Sequence, residues 1–172
     1  MDNICEQNVQ KMRTKGDKAK VAAILIGFAL LSSAIVYFSL ITGLWFFILG
    51  AVGIMALALR LAGNVEIEYE YIITNNEMDI DKIIGRRKRR RMITVDLSKS
   101  TEFSGYPPQD EAKRDVTVYA SSGLAQDAHY LLTEHSDYGT VMVIFNPNEK
   151  IREAMTQEFP KTLRSKMKHD GK

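Results

Sequence analysis

The stretch VAAILIGFALLSSAIVYFSLITGLWFFILGAVGIMALAL, residues 21–59, decides the class of this protein. From Val21 to Leu59 it contains no charged, His, Asn, Gln or Pro side chain. A helix that crosses the hydrocarbon of a bilayer needs about 20 apolar residues, so the stretch is long enough for two such helices. Thr42-Gly43 lies near its middle. We therefore predict a transmembrane hairpin of two helices, about 21–42 and 44–62, joined by a tight turn.

Two other interpretations of the apolar stretch are weaker. A cleaved signal peptide has a shorter apolar core and a shorter charged leader, and no second apolar run follows it. A helical hairpin buried in a soluble protein normally has polar faces, and this stretch has none. Ser32, Ser33, Ala34, Gly50 and Gly53 are small enough to let two helices approach closely, either within the hairpin or between copies.

The basic flanks of the hairpin predict its orientation. Lys11, Arg13, Lys15, Lys18 and Lys20 precede the first helix, Arg60 closes the second, and the turn between them carries no charge. Lys and Arg are retained on the cytoplasmic side, so both termini are expected there in a multi-pass protein of the plasma membrane. We divide the chain into a basic cytoplasmic leader (1–20), the hairpin (21–62), a cytoplasmic domain (63–160) and a basic flexible tail (161–172).

The cytoplasmic part alternates apolar and polar residues, as half-buried strands do. The pattern is clearest in VEIEYEYII, residues 65–73, where three glutamates alternate with Val, Ile and Tyr. Turn residues separate the strands, among them Asn75-Asn76 and Gly85. Seven antiparallel strands are predicted in this way: 65–73, 78–84, 88–95, 101–106, 116–120, 128–135 and 140–145. Residues 107–115 are polar and are predicted to form a mobile surface loop.

After the last strand the period changes to that of a helix. Asn146-Pro147-Asn148-Glu149 reads as a capping box with Asn146 as the N-cap and Pro147 at the first helical position. Ile151, Ala154, Met155 and Phe159 then form one apolar face. The fold class we predict is a membrane α-helical hairpin followed by an α+β, mainly β domain. That domain is a strongly bent seven-stranded antiparallel sheet or barrel, whose open end is capped by the C-terminal helix.

This arrangement resembles the pleckstrin-homology-like (PH-like) fold. Residues 68–97, EYEYIITNNEMDIDKIIGRRKRRRMITVDL, and 141–159, VMVIFNPNEKIREAMTQEF, resemble bacterial membrane-anchored PH-like proteins of an uncharacterised family. The resemblance covers about 21–160. It implies a membrane hairpin ahead of a PH-like domain, and it carries no established enzymatic activity.

Six consecutive cations are the sharpest candidate for a functional site: Arg86, Arg87, Lys88, Arg89, Arg90 and Arg91. They adjoin a turn on a domain tethered to the membrane, so the anionic inner leaflet is one candidate ligand. The alternative is a solvated strand face on which Asp79 and Asp81 pair with some of the arginines across the hairpin. Whether Gly85 opens a two- or three-residue turn decides which residues meet. Nucleic acid is disfavoured as a ligand, because no aromatic residues interleave with the arginines.

The sequence predicts neither a catalytic set, nor a cofactor, nor a metal site. Glu66, Glu68 and Glu70 follow one strand face, whereas a metal needs convergent ligands from several elements. His129 and His135 lie about 20 Å apart along one strand and cannot share a metal. Cys5 has no partner for an internal disulfide and is expected to lie in the flexible leader, where acylation is one use for it.

We therefore expect a non-enzymatic membrane protein, acting as a scaffold or adaptor at the cytoplasmic membrane face. Its partners would be membrane lipids, with the anionic inner leaflet as one ligand, and an unknown protein. The alternative is a subunit of a larger membrane complex for transport or envelope maintenance. An enzyme is the least favoured class, because no acid–base or nucleophile set is visible.

Overall fold

A computed structural model describes residues 4–108, 113–123 and 127–170. The chain divides into two compact units. The first, here called the hairpin unit, comprises Arg13–Ile67 and Ile84–Arg86. The second, here called the sheet unit, comprises Met1–Met12, Glu68–Ile83 and Arg87–Lys172. Each is described by itself below.

The hairpin unit contains helices α1 (Lys15–Thr42) and α2 (Phe47–Gly63). Helix α1 begins at Lys15 rather than at residue 21, because Thr14 and Asp17 form a capping box at its N-terminus. It ends at Gly43, whose positive φ of 71° provides the left-handed C-cap of the predicted turn. One described helix, α1 with 28 residues, is long and apolar enough to cross a bilayer. Helix α2 is apolar but has 17 residues, so the two-span hairpin stays a prediction.

The two helices pack through small side chains. Ser39, Ala51 and Ala58 are buried between them, and Ser32 Oγ donates a hydrogen bond to the carbonyl oxygen of Ala51 at 3.3 Å. Small residues let the backbones come close enough for this contact. The expectation was only partly right, however, since Ser32 alone of the five predicted small residues is buried. The other four are exposed: Ser33, Ala34, Gly50 and Gly53.

The sheet unit contains eight strands in the described residues, not the seven predicted. The missed strand is β1 (Ile4–Gln10), which pairs antiparallel with β2 in a register that sets Asn8 opposite Glu70. The predicted leader 1–20 therefore includes a strand of the sheet. The others are β2 (Ile67–Thr74), β3 (Glu77–Ile84), β4 (Lys88–Asp96), β5 (Ser100–Gly105), β6 (Val116–Ala120), β7 (His129–His135) and β8 (Gly139–Phe145).

The strands form two four-stranded sheets rather than one bent sheet. Their orders are β1-β2-β3-β4 and β5-β7-β8-β6. The prediction of purely antiparallel pairing was also wrong, because β6 lies parallel to β8, with Val118 opposite Val143. A short 3₁₀ helix, Leu97–Lys99, connects the two sheets. Of the predicted loop 107–115, residues 109–112 lie outside the described residues.

Two helices follow the last strand, α3 (Glu149–Glu158) and α4 (Lys161–Asp170). The N-cap of α3 is Asn148, whose side chain accepts from the Ile151 amide at 2.8 Å, and not Asn146 as predicted. Asn146 is instead buried, and its side-chain oxygen accepts hydrogen bonds from Ser121 Oγ and the Ser122 amide. The predicted flexible tail 161–172 contains α4, which buries Leu163.

The core of the sheet unit lies between the sheets and α3. The predicted apolar face of α3 is buried there, with Ile151, Met155 and Phe159 at most 1% exposed. Tyr71 from β2 meets Phe145 from β8 edge to face, with ring centroids 5.5 Å apart. Such aromatic pairs contribute beyond the area they bury, so these rings help to join the two sheets.

The Tyr71 hydroxyl supplies a test of this core. It is fully buried, donates to the carbonyl oxygen of Ala120 and accepts from the Asn146 amide at 3.3 Å. Tyr71→Phe leaves both backbone groups unsatisfied, so we expect the free energy of unfolding to fall by about 2 kcal/mol. The measurement is the urea midpoint for thermolysin cleavage of the full chain in detergent. Tyr119→Phe, at a side chain that is 59% exposed, is the control, and an equal loss in both variants would contradict the prediction.

Candidate functional site

The basic segment 86–91 starts in the turn between β3 and β4. Gly85, Arg86 and Arg87 separate the two strands, which resolves the turn as three residues. Gly85 and Arg86 both have positive φ, 59° and 56°. Glycine adopts this conformation without strain, and its lack of a Cβ also lets the chain approach residues 63–66. A Cβ on Gly85 would lie 2.9 Å from Asn64 Oδ1 and 3.1 Å from the carbonyl oxygen of Gly63.

The start of the segment is fastened to the end of α2 within the hairpin unit. The Gly85 amide donates to the carbonyl oxygen of Glu66 at 2.8 Å. The Glu66 carboxylate in turn pairs with the Arg13 guanidinium and lies 3.8 Å from Arg86 Nε. The segment before α1 and the segment after α2 are therefore both linked to the β3–β4 turn, and the shared group is the Glu66 carboxylate.

Two arginines of the segment are paired with carboxylates in the sheet unit. Arg89 Nη2 lies 2.5 Å from Glu70 Oε2, and Arg89 Nε lies 3.9 Å from Asp81. Arg91 reaches Asp81 through Nε at 2.7 Å and Asp79 through Nη1 at 2.8 Å. The predicted pairing with Asp79 and Asp81 is thus present, and Arg91 makes both contacts.

Burial of the carboxylates makes these ion pairs important for stability. Glu70 and Asp81 are each 2% exposed, whereas the Arg89 and Arg91 side chains are about half exposed. A buried carboxylate loses its hydration and depends on its counter-ion. Burial raises the pKa of Glu70, a hydrogen bond with Glu6 raises it further, and Arg89 lowers it. The hydrogen bond from Arg91 to Asp81 raises the pKa of Arg91, which fixes its charge more firmly.

The other three cations of β4 and its turn differ from these. Arg87, Lys88 and Arg90 are exposed, and within the described residues their side chains have no hydrogen-bond or ion-pair partner. Successive side chains of a strand point to opposite faces, so Lys88 and Arg90 point away from the face that Arg89 uses. The six cations therefore separate into Arg86 at Glu66, two held by buried carboxylates, and three open to solvent.

Glu70 is the residue that sequence reasoning missed. The alternation of Glu66, Glu68 and Glu70 predicted one strand face that meets water or pairs with neighbouring cations, but it did not predict that Glu70 is buried. Glu66 meets arginines, Glu68 accepts from Gln10 Nε2 at 3.1 Å, and Glu70 is buried beside Arg89. The available signal was weak, because β1, which pairs with β2 there, has little apolar alternation of its own.

The pH dependence of stability follows from Glu70. Its raised pKa means that the folded chain binds more protons than the unfolded chain above the usual value near 4.5. The Glu70 contribution is therefore largest below that pH and is lost as the pH rises through the folded pKa. We expect Glu70→Gln to gain stability relative to the parent between pH 4.5 and pH 7, measured by thermolysin-detected urea midpoints. Glu77→Gln, at an exposed position of β3, is the control, and an equal gain in both variants would contradict the prediction.

The remaining titratable candidates do not converge. His129 stacks on Phe103 at 5.3 Å, and His135 Nδ1 accepts from the Asp137 amide at 3.1 Å. Cys5 is buried in β1 at 4% exposure, so the expectation of an accessible thiol was wrong. Among the residues that the structure describes, no three His, Cys, Asp or Glu side chains are placed to hold a metal ion.

A second surface feature lies at the other sheet. A groove of about 880 Å³ runs between the edge strand β5 and helices α3 and α4. Its lining combines apolar and charged side chains, including Phe103, His129, Arg152, Glu153, Arg164 and Met167. An edge strand beside a groove is one geometry that extended peptides use to bind.

Comparison with known families gives one match. The profile of the family described as Bacterial PH-like domain (DUF6106) matches residues 1–165, which includes β1, the hairpin and the whole sheet unit through α3. No curated protein and no solved structure matches the chain.

Proposed function

This chain belongs to the bacterial PH-like domain family DUF6106, and on that premise we propose that it is an integral membrane protein that presents a non-catalytic binding module at the cytoplasmic face. A PH-like domain suggests such a module, because domains of this kind generally bind lipids or proteins. The observation that carries the membrane assignment is α1, which is 28 residues long and apolar enough to cross a bilayer.

We assign a second span to α2. With 17 residues it reaches the lower limit of length for a membrane helix, and Leu44, Trp45 and Phe46 extend the apolar stretch before it. Leu49 is 77% exposed on its outer face. Large apolar side chains so exposed are unfavourable in water and favourable against lipid tails. Two spans return the chain to the side on which it entered.

The charges support a cytoplasmic location for both ends of the hairpin. Lys15, Lys18 and Lys20 are exposed on the first turns of α1, and Arg60 is exposed in the last turn of α2. The turn between the helices, at residues 43–46, carries no charge. Lys and Arg remain preferentially on the cytoplasmic side, so the sheet unit lies there too.

Two measurements test this function. Carbonate extraction of cell membranes should leave the full chain in the pellet, and release into the supernatant would refute the membrane assignment. For topology, Leu44→Cys and Ser98→Cys are labelled with an impermeant maleimide in spheroplasts, using the burial of native Cys5 as a low background. Residue 44 should react from outside, and residue 98 only after permeabilisation. Labelling of both or neither from outside would refute two spans.

Membership in a larger membrane complex is the second candidate. Gly50 and Gly53 are exposed on α2, and an added Cβ at either would meet nothing within 4 Å in the described chain. That surface has room for the helix of another protein. Crosslinking in native membranes should then recover a partner that Gly50→Leu/Gly53→Leu loses. Retention of the same partner by the double variant would remove the support that these glycines give.

A further inference from the structure

We propose that Arg87, Lys88 and Arg90 form a contact site for anionic lipid headgroups, and that Arg89 and Arg91 do not take part. The three cations are here called the open triad. This inference rests on the proposed function, because it requires the sheet unit to be tethered at the cytoplasmic leaflet. The candidate site is reduced from the six cations of 86–91 to the three whose side chains have no ion-pair partner in the described residues.

The open triad differs from Arg89 and Arg91 in the charge it has available for a ligand. Arg89 and Arg91 form ion pairs with carboxylates of the sheet unit, and these pairs neutralise their charge. The carboxylates are Glu70, Asp79 and Asp81. The open triad is exposed and has no such partners in the described residues. An exposed cation retains its full attraction for an anionic surface, whereas a paired one must first leave its carboxylate.

A hydrogen bond places the start of the basic segment near the C-terminal end of α2. Gly85 is hydrogen-bonded to Glu66, which follows closely on Gly63, the last residue of α2. An extended chain spans at most about 3.5 Å per residue, so Lys88 lies within roughly 11 Å of Gly85. Attraction to an anionic surface decays over a Debye length of about 8 Å at physiological salt, so a basic segment that starts near the end of a membrane helix is placed to use it.

Because the basic segment starts near the end of a membrane helix, an anionic bilayer is favoured over a protein partner as the ligand of the open triad. Tethering keeps the sheet unit next to lipid at all times, so even weak contacts are made at high effective concentration. Each Lys or Arg near an anionic surface strengthens association by roughly fivefold. Three such cations are sufficient to orient a tethered domain, although not to recruit a free one.

The test uses the full chain in nanodiscs of phosphatidylcholine and phosphatidylglycerol. One or the other lipid carries a photoreactive headgroup at the same mole fraction. Mass spectrometry of proteolytic fragments gives the ratio of crosslinked phosphatidylglycerol to phosphatidylcholine on residues 84–92, so crosslinks at the cations that flank the helices are not counted. The parent should prefer phosphatidylglycerol by roughly fivefold or more at low salt. Arg87→Gln/Lys88→Gln/Arg90→Gln should bring the ratio close to one. High salt should do the same in the parent.

The matched control removes three exposed cations from α4: Lys161→Gln/Arg164→Gln/Lys166→Gln. Both triple variants lower the formal net charge of +2 by the same amount, so only position differs. The control should keep the preference within about twofold of the parent. An equal loss of the phosphatidylglycerol preference in both triple variants would refute a contact site at the open triad. If the parent showed no preference for phosphatidylglycerol, contact of the open triad with anionic lipid would be refuted. The membrane assignment would still stand, because carbonate extraction tests it separately.

Discussion

Arg89→Gln is expected to lower the free energy of unfolding of the sheet unit by about 3 kcal/mol at pH 7. The substitution leaves the Glu70 carboxylate, 2% exposed, without the guanidinium that lies 2.5 Å away. Removing one partner of a buried ion pair is strongly destabilising, because the other charge stays in a poorly hydrated place. We place the effect at the lower end of the usual range, since Arg89 itself is half exposed and water can enter where it stood. The measurement is the urea midpoint for thermolysin cleavage of the full chain in nanodiscs.

Arg90→Gln is the control for this effect. It removes the same chemical group from the next residue of β4, at an exposed side chain without a described partner. Substitutions at such surface positions change the free energy of unfolding by no more than about 0.5 kcal/mol. Glu70→Gln/Arg89→Gln should recover most of the loss, because a neutral amide needs no counter-ion. If Arg89→Gln and Arg90→Gln lowered stability equally, Glu70 would not depend on Arg89, and the division of the basic segment would fail.

The same pair links stability to pH. Protonation of Glu70 removes the charge that Arg89 compensates, and burial raises the pKa of Glu70 above its usual value. The loss caused by Arg89→Gln should therefore shrink as the pH falls from 7 towards 4.5. A loss that stayed constant over this interval would indicate that Arg89 stabilises β4 through packing of its methylenes rather than through charge.

The strands were predictable because their evidence is local. Alternation of apolar and polar residues predicted 116–120 and 140–145, and the structure has β6 at Val116–Ala120 and β8 at Gly139–Phe145. The pairing of these two strands was not predictable. They lie side by side and parallel although β7 comes between them in the chain, and periodicity carries no information about such non-local neighbours.

The missed strand β1 shows a second limit. Its sequence, ICEQNVQ, buries Cys5 but offers no regular apolar face, so its composition resembles a polar leader. The register that sets Asn8 opposite Glu70 comes from pairing with β2, on the far side of the helical hairpin in sequence. Without β1 the environment of Glu70 cannot be inferred, and so the sequence alone could not separate Arg89 from Arg90.

Gly85→Val is expected to lower the free energy of unfolding by about 3 kcal/mol and to release the β3–β4 turn from the end of α2. Two effects add. Gly85 has a φ of 59°. A residue with a Cβ is strained in this left-handed conformation by about 1–2 kcal/mol. A Cβ would also lie 3.1 Å from the Gly63 carbonyl oxygen and 2.9 Å from Asn64 Oδ1, so the turn must move away from both. The measurements are the thermolysin-detected urea midpoint and hydrogen exchange of the Gly85 position and residues 63–66.

Gly123→Val separates the two effects. Gly123 also has a positive φ, 91°, but an added Cβ there would meet nothing within 4 Å in the described chain. This variant should lose stability through backbone strain alone and should leave exchange at residues 63–66 unchanged. If both variants behaved alike, the close approach of Gly85 to α2 would have no energetic weight.

The lipid preference of Gly85→Val then tests whether the position of the basic segment matters as well as its charge. The variant keeps all six cations of 86–91, so any effect that depends on charge alone is preserved. The Gly85 amide, however, loses its 2.8 Å hydrogen bond to Glu66, which fixes the start of the basic segment beside the C-terminal end of α2. Attraction to the leaflet decays within about one Debye length, so even a few ångströms of displacement should reduce the phosphatidylglycerol preference severalfold. An unchanged preference, with the turn released, would mean that tethering alone brings the open triad to the lipid.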